Sequence, residues 1–339
     1  MRAVLLNQPE EFIVVEKDHP GHPGPNEVLL KVKCLGICGT DLHAYHGVQP
    51  FFTYPRILGH EIAAQVVSVG ENVTHLKTGD LCTMLPYRNS IIDQAVKRGK
   101  PNCGTGLSYF GVHEDGAMQE YFIYDAVNVF QANALTQEQI AMIEPISIGS
   151  HAVERAEIKP DDIVLIVGAG PIGITTLIMA RLKAARFIVL DVNPQRIDFV
   201  KQKYAGVDTL MADDHTVDNL KKLLNGDLPT IVMDATGNRE SMLKCFDYVA
   251  AGGTIVYVGI FVGSIEFSDP LLHAKEITLK SSRNSLPVDF KKIIRLMESG
   301  IINIDGLVTH RLQFNTLETS FTSLYNSEER VIKGVVEFN

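Results

Sequence analysis

Two textures of apolar and polar positions divide the chain. Over about the first 150 residues, runs such as EVLLKVKCLGIC and EIAAQVVSVGENV alternate or stay apolar over strand lengths, with Gly and Pro between them. This pattern predicts an antiparallel, barrel-like β domain. The opening MRAVLLNQPEEFIVVEK reads as strand and turn, its apolar run being too short for a signal peptide. From Asp162 onward strands alternate with helices. IVLIVG predicts a strand followed by a helix through Arg181, FIVLD the next strand, and the stretch near Pro194–Tyr204 a helix. TIVMDAT, GTIVYVG and EITLKSS predict further strands, so this half reads as α/β with a parallel, doubly wound sheet. The tail predicts a helix in FKKIIRLMESG and a closing strand in KGVVEF.

The uncharged run from Ile163 to Ala180 has the length of a membrane span. Gly168, Gly170, Pro171 and Gly173 in its middle would break a spanning helix, but they suit a strand, a tight turn and a helix. Composition is that of a globular enzyme, with 45% hydrophobic and 21% charged residues, which excludes disorder. Lys plus Arg number 31 against 40 Asp plus Glu, a formal charge of −9 that argues against a nucleic-acid partner. The five cysteines, Cys34, Cys38, Cys82, Cys103 and Cys245, are odd in number and scattered. Thiols or metal ligands in a reducing cytoplasm fit them better than a disulfide framework.

Gly168-Ala169-Gly170-Pro171-Ile172-Gly173 fits G-x-G-x-x-G in the context that motif needs, after an apolar strand and at the head of an apolar helix. Gly168 permits the tight turn, Gly170 lets backbone approach a pyrophosphate, and Gly173 lets helix and strand pack closely. Asp191 ends the next strand, where a carboxylate accepts ribose hydroxyls and repels a 2′-phosphate, so NAD is expected over NADP. Arg196 stands five residues on and would loosen that preference. The plainer alternative is a glycine turn in another α/β domain.

Cys38 in GICGTDLH, His60-Glu61 in LGHE and Glu144 in IEPIS offer thiolate, imidazole and carboxylate, donor types that zinc accepts. Oxidation of an alcohol by hydride loss calls for such an ion beside the substrate oxygen. On spacing alone, Cys38 reads equally as a small buried hydrophobe and His60 as a core histidine.

The motifs GICGTDLHAYHG, YPRILGHE, GVHEDGAMQEY, EPIS, GAGPIG, LDVNPQR and DATGN occur in the order found in zinc-dependent medium-chain dehydrogenases, and the whole chain resembles that family. Within the family it is most similar to the bacterial polyol and sugar-acid branch of sorbitol, threonine and L-galactonate or L-gulonate 5-dehydrogenases, and NQPEEF, YHGVQPFFTYPRILGHE, FSDPLLHAKE, SSRNSLPVDF and VIKGVVEF resemble the L-galactonate/L-gulonate group. The resemblance implies a GroES-like catalytic domain over 1–150, completed by 286–339, and a Rossmann NAD-binding domain over 151–285. It implies zinc on Cys38 and His60, with Glu61 and Glu144 as the two carboxylates near the metal and the resting ligand left open between them. Thr40 would touch the substrate oxygen and His43 would pass its proton to solvent. Asp234, Thr236, Val258, Gly259, Ile260, Arg283 and Asn284 would line the cofactor cleft together with the glycine turn, and Lys333 would approach cofactor or substrate. Tyr45, His46 and His113 are further polar candidates around the substrate, and Phe51 and Phe52 would either wall it with apolar surface or belong to the core.

Many relatives hold a structural zinc on four cysteines, at positions that are here Ser90, Asp93, Val96 and Cys103. One zinc per chain is therefore expected. The resemblance also implies a cytoplasmic homodimer or homotetramer without a membrane partner, oxidising a secondary alcohol of a sugar acid or polyol with NAD. A threonine-type dehydrogenase, a zincless quinone-reductase relative and a redox-inert NAD-binding structural or sensing protein are the alternatives.

Overall fold

The computed structural model describes residues 1–50, 52–183, 186–325 and 331–338. They form two compact units, one of Met1–Glu144 with Leu286–Asn339 and one of Pro145–Ser285. The first unit opens with strands β1 (Arg2–Gln8), β2 (Glu11–Glu16), β3 (Glu27–Gly36), β4 (Arg56–Ile57) and β5 (Glu61–Val69). It continues with β6 (Leu81–Met84), β7 (Tyr87–Asn89), β8 (Leu107–Tyr109), β9 (Tyr121–Asp125) and β10 (Val129–Gln131). The opening strand and turn form a β1–β2 hairpin, with Leu5 of β1 also paired to Ile57 of β4. β3 is central and pairs antiparallel with both β5 and β9. Covered on both faces, it is apolar almost throughout, and Val28, Leu30, Val32 and Leu35 join Leu6, Ile62 and Tyr124 in one core.

β7 and β8 pair antiparallel and carry the segment between them as a small lobe. Asp93 organises it. One carboxylate oxygen accepts from the Val96 N–H at 3.0 Å, which caps the helix Gln94–Lys97. The other accepts from the Thr105 N–H at 2.7 Å and the Thr105 hydroxyl at 2.9 Å. Asn89 Nδ2 donates to the Pro101 carbonyl at 2.6 Å, and the Ser90 hydroxyl to the Gly106 carbonyl at 3.2 Å. The bonds from Thr105 and Val96 hold the Asp93 carboxyl down at about 2. A depressed carboxyl contributes its stabilisation above its unfolded value, and that contribution is lost as pH falls through about 2. Asp93→Ala is accordingly expected to speed hydrogen exchange at the Val96 and Thr105 amides at neutral pH. The wild-type lobe should reach the same state only in strong acid.

The second unit holds β11 (Ile163–Val167), β12 (Arg186–Asp191), β13 (Asp208–Met211), β14 (Ile231–Asp234), β15 (Thr254–Tyr257) and β16 (Thr278–Ser281). These six form one parallel sheet in the order β13-β12-β11-β14-β15-β16, so the chain winds outward one way from β11 and then the other from β14. The ladder Leu165↔Ile188 and Leu165↔Val232 sets apolar side chains in register, and they pack with Ile255 and Phe246. β16 is an edge strand with Thr278, Leu279 and Ser281 exposed.

The chain then returns to the first unit through the helix Pro287–Glu298 and strands β17 (Val308–Gln313) and β18 (Lys333–Glu337). β18 pairs antiparallel with β3, Val335 facing Gly36. β17 and β18 are parallel, whereas the named strand pairs within the first 150 residues are antiparallel, as the apolar pattern there predicts. Parallel neighbours need a crossover, and the segment between them supplies one, with Leu317 and Phe321 fully buried. Among the described residues, no helix is long and apolar enough to cross a membrane.

Candidate metal and dinucleotide sites

Three strand ends converge on one buried cluster in the first unit. β3 ends at Gly36, which faces Glu61 at the start of β5, while β18 begins at Lys333. A side chain at position 36 would set its Cβ 2.0 Å from Glu61 Oε2, so glycine is required there for the carboxylate to lie where it does. Cys38 follows and N-caps the helix Gly39–Tyr45. Asp41, buried in that helix, accepts the Cys38 N–H at 2.9 Å and, with its other oxygen, the Gly59 N–H at 3.2 Å. One carboxylate thus ties the segment bearing Cys38 to the residue before His60.

Cys38, His60 and Glu61 each place a donor atom within 4.8 Å of the other two. His60 and Glu61 are buried and Cys38 is half-buried. Burial by itself lowers the basicity of His60. The negative charges of Cys38, Asp41 and Glu144 outweigh it and lift the imidazole well above its usual range. His60 Nδ1 lies 3.9 Å from Asp41 Oδ1, and the nitrogen has no hydrogen-bond partner among the described residues. Glu144, at the head of the helix Ile143–Ala156, is buried too. Burial, reinforced by Glu61 and Asp41, raises it to about 7 against the pull of His60 and Lys333. Thiolate, imidazole and carboxylate gathered out of water with this surplus of negative charge fit a divalent zinc ion.

Thr40 lies beside the cluster, its hydroxyl oxygen 3.5 Å from Cys38 Sγ, and His43 is exposed one helical turn on. Lys333 is buried and touches both oxygens of Glu61, with Nζ 2.6 Å from Oε1. Asp41 and the pairing of Lys333 with Glu61 are the parts of the site that sequence reading missed. Asp41 stood unassigned within GTDLH, and nothing local to Lys333 marks its partner.

Other candidates are engaged elsewhere. Tyr45 packs in the core between Phe12 and Phe321 and donates to the Glu10 carbonyl at 3.1 Å. His46 pairs with Glu10 at 3.3 Å, and His113 Nδ1 accepts from the Tyr109 N–H at 3.0 Å. Phe52 packs against Tyr54 with ring centroids 4.9 Å apart, and Phe51 lies outside the described residues.

In the second unit the glycine turn follows β11, where the winding of the sheet reverses, as ligand sites of such sheets do. Gly168 has φ +96°, and Gly170 N-caps the helix Pro171–Ala180, with Pro171 and Ile172 in its first turn. A Cβ on Gly173 would meet the Gly168 carbonyl oxygen at 1.7 Å. Asp191, buried at the end of β12, accepts the Ala169 N–H at 2.6 Å and the Asn193 N–H at 2.7 Å. Each of its oxygens keeps a second lone pair for a ribose hydroxyl. Arg196 Nη1 lies 3.8 Å from Asp191 Oδ2 and would stand 3.6 Å from a Cβ on Gly170.

Thr236, Gly237, Val258, Gly259 and Ile260 lie beyond the ends of β14 and β15, where Cβ atoms on the two glycines would strike the facing backbone. Asp234 is turned inward. It is fully buried and spent on Thr236 N–H at 2.9 Å, the Thr236 hydroxyl at 2.8 Å and the Ser241 hydroxyl at 2.7 Å, so it shapes the turn from beneath. After β16, Arg283 is exposed, and Asn284 adopts φ +54° with a buried Nδ2 that has no partner among the described residues. A strained residue with an orphaned donor, near the ends of the parallel strands, fits the polar end of a dinucleotide. Replacing Asp191 with alanine should weaken NADH binding about 10–100-fold, the loss of charge-assisted bonds, and leave NADPH affinity much less affected. Fluorescence titration with both cofactors checks this, and an unchanged preference would remove the ribose role.

Residues 24–134 match the model of the alcohol dehydrogenase GroES-like domain, and residues 171–299 that of the zinc-binding dehydrogenases. L-galactonate-5-dehydrogenase of Escherichia coli (strain K12) is 40% identical over 100% of this chain and 99% of its own. Sorbitol dehydrogenase of Ovis aries is 34% identical over 85% of this chain and 83% of its own. A short chain alcohol dehydrogenase from E. coli CFT073, crystallised with NADH, superposes with a TM-score of 0.92 at 27% identity, covering 100% of this chain and 99% of that one.

Proposed function

Since the chain belongs to the zinc-dependent, NAD-linked alcohol dehydrogenases, with a GroES-like and a Rossmann domain, we propose that it interconverts a secondary alcohol of a sugar acid or polyol with the corresponding ketone. The observation that carries the chemistry is the set of half-buried Cys38 with buried His60 and Glu61, their donor atoms within 4.8 Å of one another. These three, with Glu144 close by, would hold zinc. Bound there, zinc supplies Lewis acidity toward the substrate oxygen. Thr40 would orient the hydroxyl and relay its proton, giving up its own hydroxyl hydrogen as it accepts the substrate's, and exposed His43 would pass the released proton to water. NAD held at the glycine turn would supply the hydride acceptor for the carbinol carbon, so that alcohol and NAD⁺ would become ketone, NADH and one proton. The sugar-acid assignment is supported by likeness over the whole chain to L-galactonate-5-dehydrogenase. On this reading the exposed edge of β16 supports pairing between copies in a cytoplasmic dimer or tetramer.

The test is NAD reduction with a panel of aldonates, polyols and L-threonine, together with metal analysis. Turnover of aldonates or polyols with about one zinc per chain is expected. Preference for L-threonine would move the chain to the amino-alcohol reading. Protein that binds NADH, yet holds no metal and turns over no alcohol after zinc is added, would defeat the catalytic reading.

A further inference from the structure

Lys333 bridges the two segments that carry the metal-binding side chains. Its ammonium donates to the Ile37 carbonyl at 2.9 Å, next to Cys38, and contacts both oxygens of Glu61, next to His60. Lys333 and Glu61 are only 2% and 1% exposed, so no water competes for these bonds. A cation touching both oxygens of a carboxylate occupies the direction from which a metal would be chelated by the pair. Gly36 completes the arrangement, because its missing Cβ gives Glu61 Oε2 its place. We propose that Lys333 is a positioning residue that restricts Glu61 to one-oxygen ligation and so keeps a coordination position free for the substrate. The inference rests on zinc binding at Cys38, His60 and Glu61 as proposed above.

Wild-type protein, Lys333→Met, Lys333→Arg and Lys333→Met/Glu61→Gln would be loaded with Zn(II) or Co(II). Metal content, the rate of zinc release to EDTA and the visible Co(II) spectrum are measured on each. In Lys333→Met the freed carboxylate should chelate with both oxygens. The Co(II) band should weaken, as it does when four-coordination rises to five, and zinc release should slow by a factor on the order of ten. Lys333→Arg should stay near wild type. The double variant, in which neither member of the Lys333–Glu61 pair keeps a charge without the other, should regain the strong band and release zinc quickly. Lys333→Gln carries the Lys333→Met expectations should the methionine variant fail to fold. A wild-type band and release rate in Lys333→Met, faster release there, or an equally weak band in the double variant would each overturn the proposal. Wild-type protein that binds no zinc would instead overturn the metal reading itself.

Discussion

His60→Ala is expected to lower turnover by at least about 10³-fold, because Lewis-acid help at the substrate oxygen is worth several kcal/mol and each 1.36 kcal/mol is about tenfold. Cys38→Ala should do the same. Dialysed protein should lose its zinc in both variants while NADH titrates as before. The proposed ligands lie in the unit of Met1–Glu144 and Leu286–Asn339, and the proposed cofactor residues in Pro145–Ser285, which has its own core. The outcome separates two roles for Cys38. A half-buried cysteine serving only as a small hydrophobe would cost about 1 kcal/mol of stability on truncation and leave the rate alone. Loss of NADH binding in both variants would place the two sites wrongly.

The second large effect is expected in the glycine turn, where two substitutions of the same size should diverge. In Gly173→Ala the new methyl would lie 1.7 Å from the Gly168 carbonyl oxygen, a backbone atom that cannot step aside. The turn must open, so NADH affinity should fall more than about 100-fold and thermal stability with it. In Gly170→Ala the nearest heavy atom is Arg196 Nη1 at 3.6 Å, an ordinary contact. Stability should stay, while NADH affinity falls about tenfold as the methyl enters the approach of the pyrophosphate. Thermal unfolding paired with NADH titration reads both. Tight binding by Gly170→Ala would mean that this turn does not cradle phosphate.

What was legible in the sequence was local. IVLIVGAGPIG carries strand, turn and helix start within a few residues, and His60-Glu61 are neighbours in the chain. Periodicity and turn chemistry act over such distances, so they mark these features without any knowledge of the fold. The partner of Lys333 is 272 residues away, and only the pairings of β18 with β3 and of β3 with β5 bring the two together. The inward turn of Asp234 depends on Ser241, seven residues further on, and Tyr45 is claimed by Phe12 and Phe321. Asp93 was legible only as a cysteine missing from a zinc site. Its bonds to Thr105, twelve residues on, give the lobe an organising centre of its own. The parallel pairing of β17 and β18 escaped because each strand looks the same by itself whichever way its neighbour runs.

The first unit is split in sequence by the second, and this sets an order of events during synthesis. The residues of Pro145–Ser285 are contiguous and can fold as soon as they emerge from the ribosome. Glu61, by contrast, must wait for Lys333, 272 residues later, about 15–55 s at roughly 5–20 residues per second. Until then the central strand β3 lacks one neighbour, and a carboxylate destined for the interior has no counter-charge. The nascent chain should therefore carry a finished nucleotide fold beside a half-built, chaperone-visible sheet, and metal capture should be among the last steps of maturation.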